Sequence, residues 1–178
     1  EMVDLARLDL RSLTPAVFDA PYGTVSGAGL LFGTSGGVAE AALRMATAQE
    51  GQIEFHAVRG LNGYKETEVA LGPRTLRLAV INGLGRALPL LDRLAAGEDT
   101  GYDLVEVMAC PGGCIGGAGH PGPEHSQELQ RRCDVLQALD ESSTHRTSQA
   151  NPDVLRLYDT WLGAPGSSKA QALLHTHG

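Results

Sequence analysis

The chain has 178 residues, with 14 Lys and Arg against 21 Asp and Glu, a formal net charge of −7 and a pI near 5.3. That is enough chain to bury one core, and it is too acidic, with no Lys/Arg cluster, to point to a nucleic-acid partner. Three cysteines do not make a disulfide framework, no apolar run reaches the roughly 18 residues a bilayer requires, and no basic-apolar-small signal opens the chain, so a soluble protein of the reducing cytoplasm is expected.

Residues 3 to 13 carry a weak helical spacing (Val3, Leu5, Ala6, Leu8, Leu10, Leu13) that stops before Pro15. The opening Leu5-Ala6-Arg7-Leu8 reads as the middle of a helix, so the chain is expected to be processed or a piece of something longer. Gly27 to Phe32 reads as a short buried strand, Gly33-Thr34-Ser35-Gly36-Gly37 as a turn, and Val38 to Ala46 as a helix of good helix formers. The turn satisfies G-x-S-x-G, the pattern of a serine nucleophile elbow. A serine hydrolase is thus a formal alternative, with Asp103 and His120 as nominal partners of Ser35. The plainer reading is that Thr34 and Ser35 cap the helix.

Ile53 to Val58 alternates as a strand. Lys65 to Leu71 and Arg74 to Ile81, joined by Gly72-Pro73, read as a hairpin. Gly83 to Ala96 has helical spacing, with Pro89 in its first turn or at a kink. A strand from Tyr102 to Val107 then delivers the chain into the loop 106–121 in the βαβ manner that sets ligands at the carboxyl ends of strands. Beyond it, Glu124 to Leu139 is helical, with Cys133 as a small packing residue on its apolar face. Pro152 to Leu162 is an amphipathic helix with proline in its first turn, closed by Gly163. His175-Thr176-His177 could bind metal, but a terminal tail favours a solvated or packing role.

The loop carries the chemistry. Cys110-Pro111-Gly112-Gly113-Cys114 sets two thiols four positions apart where Pro111 stops a helix, while Gly112, Gly113, Gly116, Gly117 and Gly119 let the backbone turn tightly, approach a bulky ligand and point amides at it. An iron–sulfur cluster suits that pattern. A disulfide gains little from so short a ring. A zinc site would need two further ligands, with His120 and His125 as uncertain helpers, and a purely structural glycine loop also stays open. Gly117-Ala118-Gly119-His120-Pro121-Gly122 fits G-x-G-x-x-G, yet Pro121 would spoil the helix that a dinucleotide needs.

These residues resemble a cysteine signature of the [FeFe]-hydrogenases, M-A-C-P-G-G-C-x-x-G-G-G-Q-P, with Ala118 and His120 as the two departures. Phe32 to Arg44 resembles the family's F-G-x-x-G-G-V-x-E-A-A-L-R, a loop that packs beside the catalytic cluster. Arg59-Gly60, Lys65-Glu66, Asn82-Gly83-Leu84-Gly85, Asn151-Pro152 and the Leu-Leu-His-Thr-His ending are similar too, in order. The resemblance implies an α/β fold: one lobe of the two-lobed iron-only hydrogenase catalytic domain, a mixed β-sheet flanked by helices. Residues 1–178 would be its C-terminal lobe, with a cluster loop at 106–121 and a C-terminal helical segment at 124–178.

Carried over residue by residue, the resemblance makes Cys110 a ligand of a [4Fe-4S] cluster and Cys114 its bridge to a two-iron subcluster with CO and CN ligands, the H-cluster. Met108 would pack against the two-iron unit, and Gly33, Thr34, Ser35, Gly36, Gly112, Gly113, Gly116 and Gly117 would line the cofactor. The family's T-S-C-C-P and P-C-x-x-K-x-x-E motifs do not occur in these residues, so the other cysteines come from a second polypeptide or an upstream segment, the favoured readings, or are absent altogether. The implied activity is reversible hydrogen oxidation and proton reduction, with a redox partner such as ferredoxin or an NADH-linked iron–sulfur subunit. The alternative is a non-catalytic hydrogenase-derived iron–sulfur subunit for electron transfer, sensing or assembly.

Overall fold

A computed structural model describes residues 2–17, 19, 22–47, 58–120 and 126–175. The helices are α1 (Met2–Leu5), α2 (Gly27–Leu31), α3 (Gly37–Thr47), α4 (Leu84–Ala95), α5 (Ser126–Glu141), α6 (Pro152–Leu157) and α7 (Ser168–Leu174), and the strands are β1 (Tyr64–Leu71), β2 (Arg74–Asn82) and β3 (Leu104–Met108). The strands form a mixed sheet in the order β1-β2-β3. β1 and β2 are the expected antiparallel hairpin, paired from Tyr64 with Ile81 to Leu71 with Arg74. β3 lies parallel to β2 after the α4 crossover, with Asn82 opposite Met108.

The middle strand is buried on both faces, which is why Leu78-Ala79-Val80-Ile81 reads as an uninterrupted apolar run. Leu78 and Val80 pack with Ala39 and Leu43 of α3 and with Val58, and Ile81 packs with Ala87 and Leu90 of α4. β1 is the edge and alternates in exposure. The expected fold class, a mixed sheet flanked by helices with further helices at the C-terminal end, is the one observed.

Gly27 to Phe32 is a helix and not the expected strand. Ser26 caps it by accepting from the Gly29 amide, and the Gly27 and Ala28 amides donate to the carbonyls of His145 and Arg146. Those acceptors lie more than a hundred residues away, so the local sequence could not show that these amides would be satisfied in a helix. Gly27 also sits where a Cβ would lie 2.1 Å from Asp140 Oδ1, so its lack of a side chain serves helix packing.

Pro89 falls inside α4, beyond its first turn. The helix expected at 152–162 is α helical to Leu157 and a π turn from Tyr158 to Leu162, closed by Gly163 at φ 78°. The strand expected at 53–58 falls on residues 53–57, which lie outside the described set, as do His125 and two of the three residues of the His-x-His tail. Among the described residues no helix is long and apolar enough to cross a membrane.

Candidate metal centre

β3 ends at Met108, and the chain turns through Cys110-Pro111-Gly112-Gly113 into a 3₁₀ turn at Cys114–Gly116. Gly112 and Gly113 are consecutive left-handed residues, at φ 79° and 94°, a conformation that costs any L side chain. At Gly113 a Cβ would meet the Ser35 amide at 2.8 Å, Gly33 O at 3.0 Å and Met108 Sδ at 3.0 Å. The cysteine loop therefore lies directly on the 33–36 turn. The Ile115 amide donates to Gly33 O at 3.0 Å, and Arg132 of α5 donates to Ile115 O at 2.8 Å from the other side.

Both thiols are free; Cys110 is half-buried and Cys114 exposed. Gly117 leaves room for sulfur, because a Cβ there would stand 3.2 Å from Cys110 Sγ. Beside Cys114 opens a groove of ≈ 740 Å³ between α2 and α5, with Gly33, His120, Arg131 and Leu136 among its walls. Met108 lies against Gly113 and is 9% exposed. Four of the loop amides have protein acceptors: Gly112 donates to Asn82 Oδ1, Gly113 to Cys110 O, Gly116 to Gly113 O and Gly117 to Cys114 O. At these four glycines the amides turn to protein acceptors and not to a ligand, so there the glycines serve close approach.

The 33–36 turn is held from outside by Asn82 and Glu106, to which no motif in the sequence assigns that role. Thr34 donates to Leu31 O and Ser35 accepts from Asn82 Nδ2 at 3.0 Å, so neither caps α3. Glu106 does: its carboxylate accepts from the Gly36 amide at 2.6 Å and the Ala39 amide at 2.7 Å, from a buried position on β3. An acid in the middle of an apolar strand was the available signal, since a buried charge requires donors.

The serine-hydrolase set does not assemble. The element before Ser35 is a helix and Ser35 is 3% exposed. Asp103 accepts from the Arg77 amide, ahead of the first residue of β3, while Ser35 lies beyond its last. Among the described residues no group of three or more His, Cys, Asp or Glu could hold a metal ion, so a self-contained zinc site has no support there. The donor set is two thiols on a glycine cradle, which fits part of a larger thiolate-bound cluster.

The family described as "Iron only hydrogenase large subunit, C-terminal domain" matches residues 1–118, and "Iron hydrogenase small subunit" matches residues 126–178. The NADP-reducing hydrogenase subunit HndD of Solidesulfovibrio fructosivorans is 42% identical over 99% of this chain and 31% of its own length. Protein NAR1 of Arabidopsis thaliana is 30% identical over 99% of this chain and 40% of its own. A solved variant of the [FeFe]-hydrogenase HydA1 from Chlamydomonas reinhardtii superposes with a TM-score of 0.70 at 39% identity, covering 99% of this chain and 52% of that one. This chain thus spans about a third of HndD and about half of the solved catalytic chain. With the sheet, the two thiols and both family matches in agreement, the chain belongs to the iron-only hydrogenase family as a C-terminal hydrogenase-like domain.

Proposed function

We propose that this domain is the C-terminal lobe of an [FeFe]-hydrogenase that interconverts hydrogen with protons and electrons, and that Cys110 and Cys114 are two of the thiolates holding its iron–sulfur centre. The observation that carries this is the pair of free thiols on a left-handed glycine bend clamped between the 33–36 turn and α5. When bound, a [4Fe-4S] cluster joined to a two-iron subcluster supplies the redox chemistry. Cys110, half-buried beside Gly117, would hold the cube. Cys114, open to the groove, would bridge toward the two-iron unit, with Met108, which lies against Gly113, packed on that unit and Gly33, Thr34, Ser35 and Gly36 closing one wall against water. The remaining cysteines and the proton-relay groups belong to the rest of the catalytic domain, in the same polypeptide or a partner one. Electrons would pass to a soluble carrier or a nicotinamide-linked subunit, in the cytoplasm.

The test is anaerobic purification of this chain together with the rest of its catalytic domain, followed by iron and sulfide analysis, infrared spectroscopy and hydrogen assay. CO and CN bands with hydrogen turnover are expected. Cys114→Ser abolishes turnover with the fold intact, and Cys133→Ser, on the buried side of α5, leaves it near wild type; equal activity in all three proteins refutes the assignment.

A second reading, an iron–sulfur subunit without hydrogenase activity, has its support in the match to the cytosolic Fe-S cluster assembly factor narfl of Danio rerio, 26% identical over 99% of this chain and 44% of its own length, and in Ala118 and His120, where the resemblance has glycine and glutamine. Cube iron without CO or CN bands would favour it.

A further inference from the structure

The side chain of Asn82 ties together three segments, at Asn62, Ser35 and Gly112. It is 1% exposed, at the carboxyl end of β2 opposite Met108. Its Oδ1 accepts from the Gly112 amide at 2.8 Å, and its Nδ2 donates to Asn62 O at 2.8 Å and Ser35 Oγ at 3.0 Å. The orientation of the carboxamide is fixed by its neighbours, because a backbone amide can only donate and a backbone carbonyl can only accept. Its main chain is held as well, with the amide donating to Gly63 O and the carbonyl accepting from Arg86. No other standard side chain of this size offers an acceptor on one side and two donors on the other.

We propose that Asn82 is a positioning residue of the centre, whose carboxamide fixes the Gly112-Gly113 bend and thereby the places at which Cys110 and Cys114 present their sulfurs. This rests on reading the loop as a cluster site. The physical reason is that the bend is strained and short: two left-handed residues separate Pro111 from Cys114, and the Gly112 amide has no helix or strand to hold it. Buried beneath the loop, the Asn82 oxygen gives that amide a partner that water cannot replace. The 33–36 turn is tied to the same side chain through Ser35, so the two walls of the centre keep one spacing.

The experiment uses the complete catalytic domain carrying Asn82→Leu, which removes all three hydrogen bonds at similar volume, with Asn82→Ser read in its place should the leucine variant not fold. Asn151→Ala is the control, a buried cap lost elsewhere in the chain. In the apo protein, hydrogen exchange of the 109–116 segment is expected to quicken by about tenfold, the value of one buried hydrogen bond, and alkylation of Cys110 to quicken relative to Cys133. After reconstitution with ferrous iron and sulfide, the variant's cube is expected to show shifted EPR g-values and to lose iron faster to a chelator, with Asn151→Ala at wild-type values for both. Unchanged exchange in the 109–116 segment, or equal cluster loss in the Asn82 and Asn151 variants, overturns the proposal. A wild-type domain that takes up no cube overturns the proposed function, while the exchange and alkylation results still decide whether Asn82 positions the loop.

Discussion

Gly113 shows how tightly the centre is specified at the level of single residues. Its φ of 94° and the three atoms within 3.0 Å of a hypothetical Cβ mean that alanine there meets backbone strain and backbone collisions together, neither of which a rotamer change relieves. Gly113→Ala is therefore expected to cost at least about 2 kcal/mol, read as a lower urea midpoint, and to separate the cysteine loop from the 33–36 turn. Gly85 is the contrast, since nothing lies within 4 Å of a Cβ there and its φ is not left-handed. In a helix that position gains from alanine, by roughly 0.5–1 kcal/mol, so Gly85→Ala should raise the midpoint.

At the scale of elements, the most informative feature is the cap that α3 receives from β3. A helix N-terminus concentrates unsatisfied amides and a partial positive charge, and here a strand carboxylate meets both, so helix and strand are locked in register. Glu106→Gln keeps one oxygen acceptor but loses the second and the charge. It is expected to cost about 1–2 kcal/mol and to make that loss insensitive to salt, because the pair is buried; denaturation at low and high ionic strength checks both. Asn151 caps α6 locally, accepting from the Asp153 and Val154 amides, and also donates to Thr24 O. Its replacement by alanine should cost about 1 kcal/mol or somewhat more.

The whole molecule is tied by a buried ionic cluster. Arg44 donates to both Glu40 and Asp140, Arg59 forms a two-point pair with Glu40 at 2.7 and 2.8 Å, and Arg146 donates to Asp140 at 2.8 Å. Glu40 and Asp140 are completely buried, so α3, α5 and the segment before α6 share charges that none of them could bury alone. Burial pushes the Asp140 carboxyl up, but the guanidiniums of Arg44 and Arg146 outweigh it and hold the carboxyl below the usual range. A depressed value means that the unfolded chain takes up the proton first. The contribution is thus fully present above the ordinary carboxylate value of about 3.9 and is lost as pH falls through the lower folded value. Stability should be flat through neutral pH and fall below about pH 4, and Asp140→Asn should remove several kcal/mol at neutral pH by taking away one of the two buried carboxylates, Glu40 and Asp140, that balance Arg44, Arg59 and Arg146. The outer face of α4 carries Leu84, Leu88, Leu91 and Leu94, which are 44–56% exposed. Prepared alone, the chain is expected to bind a hydrophobic dye and to self-associate at this face.

What the sequence determined by itself is whatever depends on near neighbours. Proline and glycine around two cysteines dictate a bend that no α-helix or strand can enter, β-branched and leucine residues at 74–82 make a strand, and alternation at 64–71 makes its edge partner. The pairing of those strands, the crossover through α4 and the thiol pair were all legible for that reason. Tertiary structure alone decided the rest. Gly27–Leu31 is a helix because carbonyls at 145 and 146 accept its amides, Glu106 rather than Ser35 caps α3, and Asn82 holds Gly112 across 30 residues. Each of these turns on where a buried donor finds its acceptor, and in a folded chain that partner is set by packing and not by distance along the sequence.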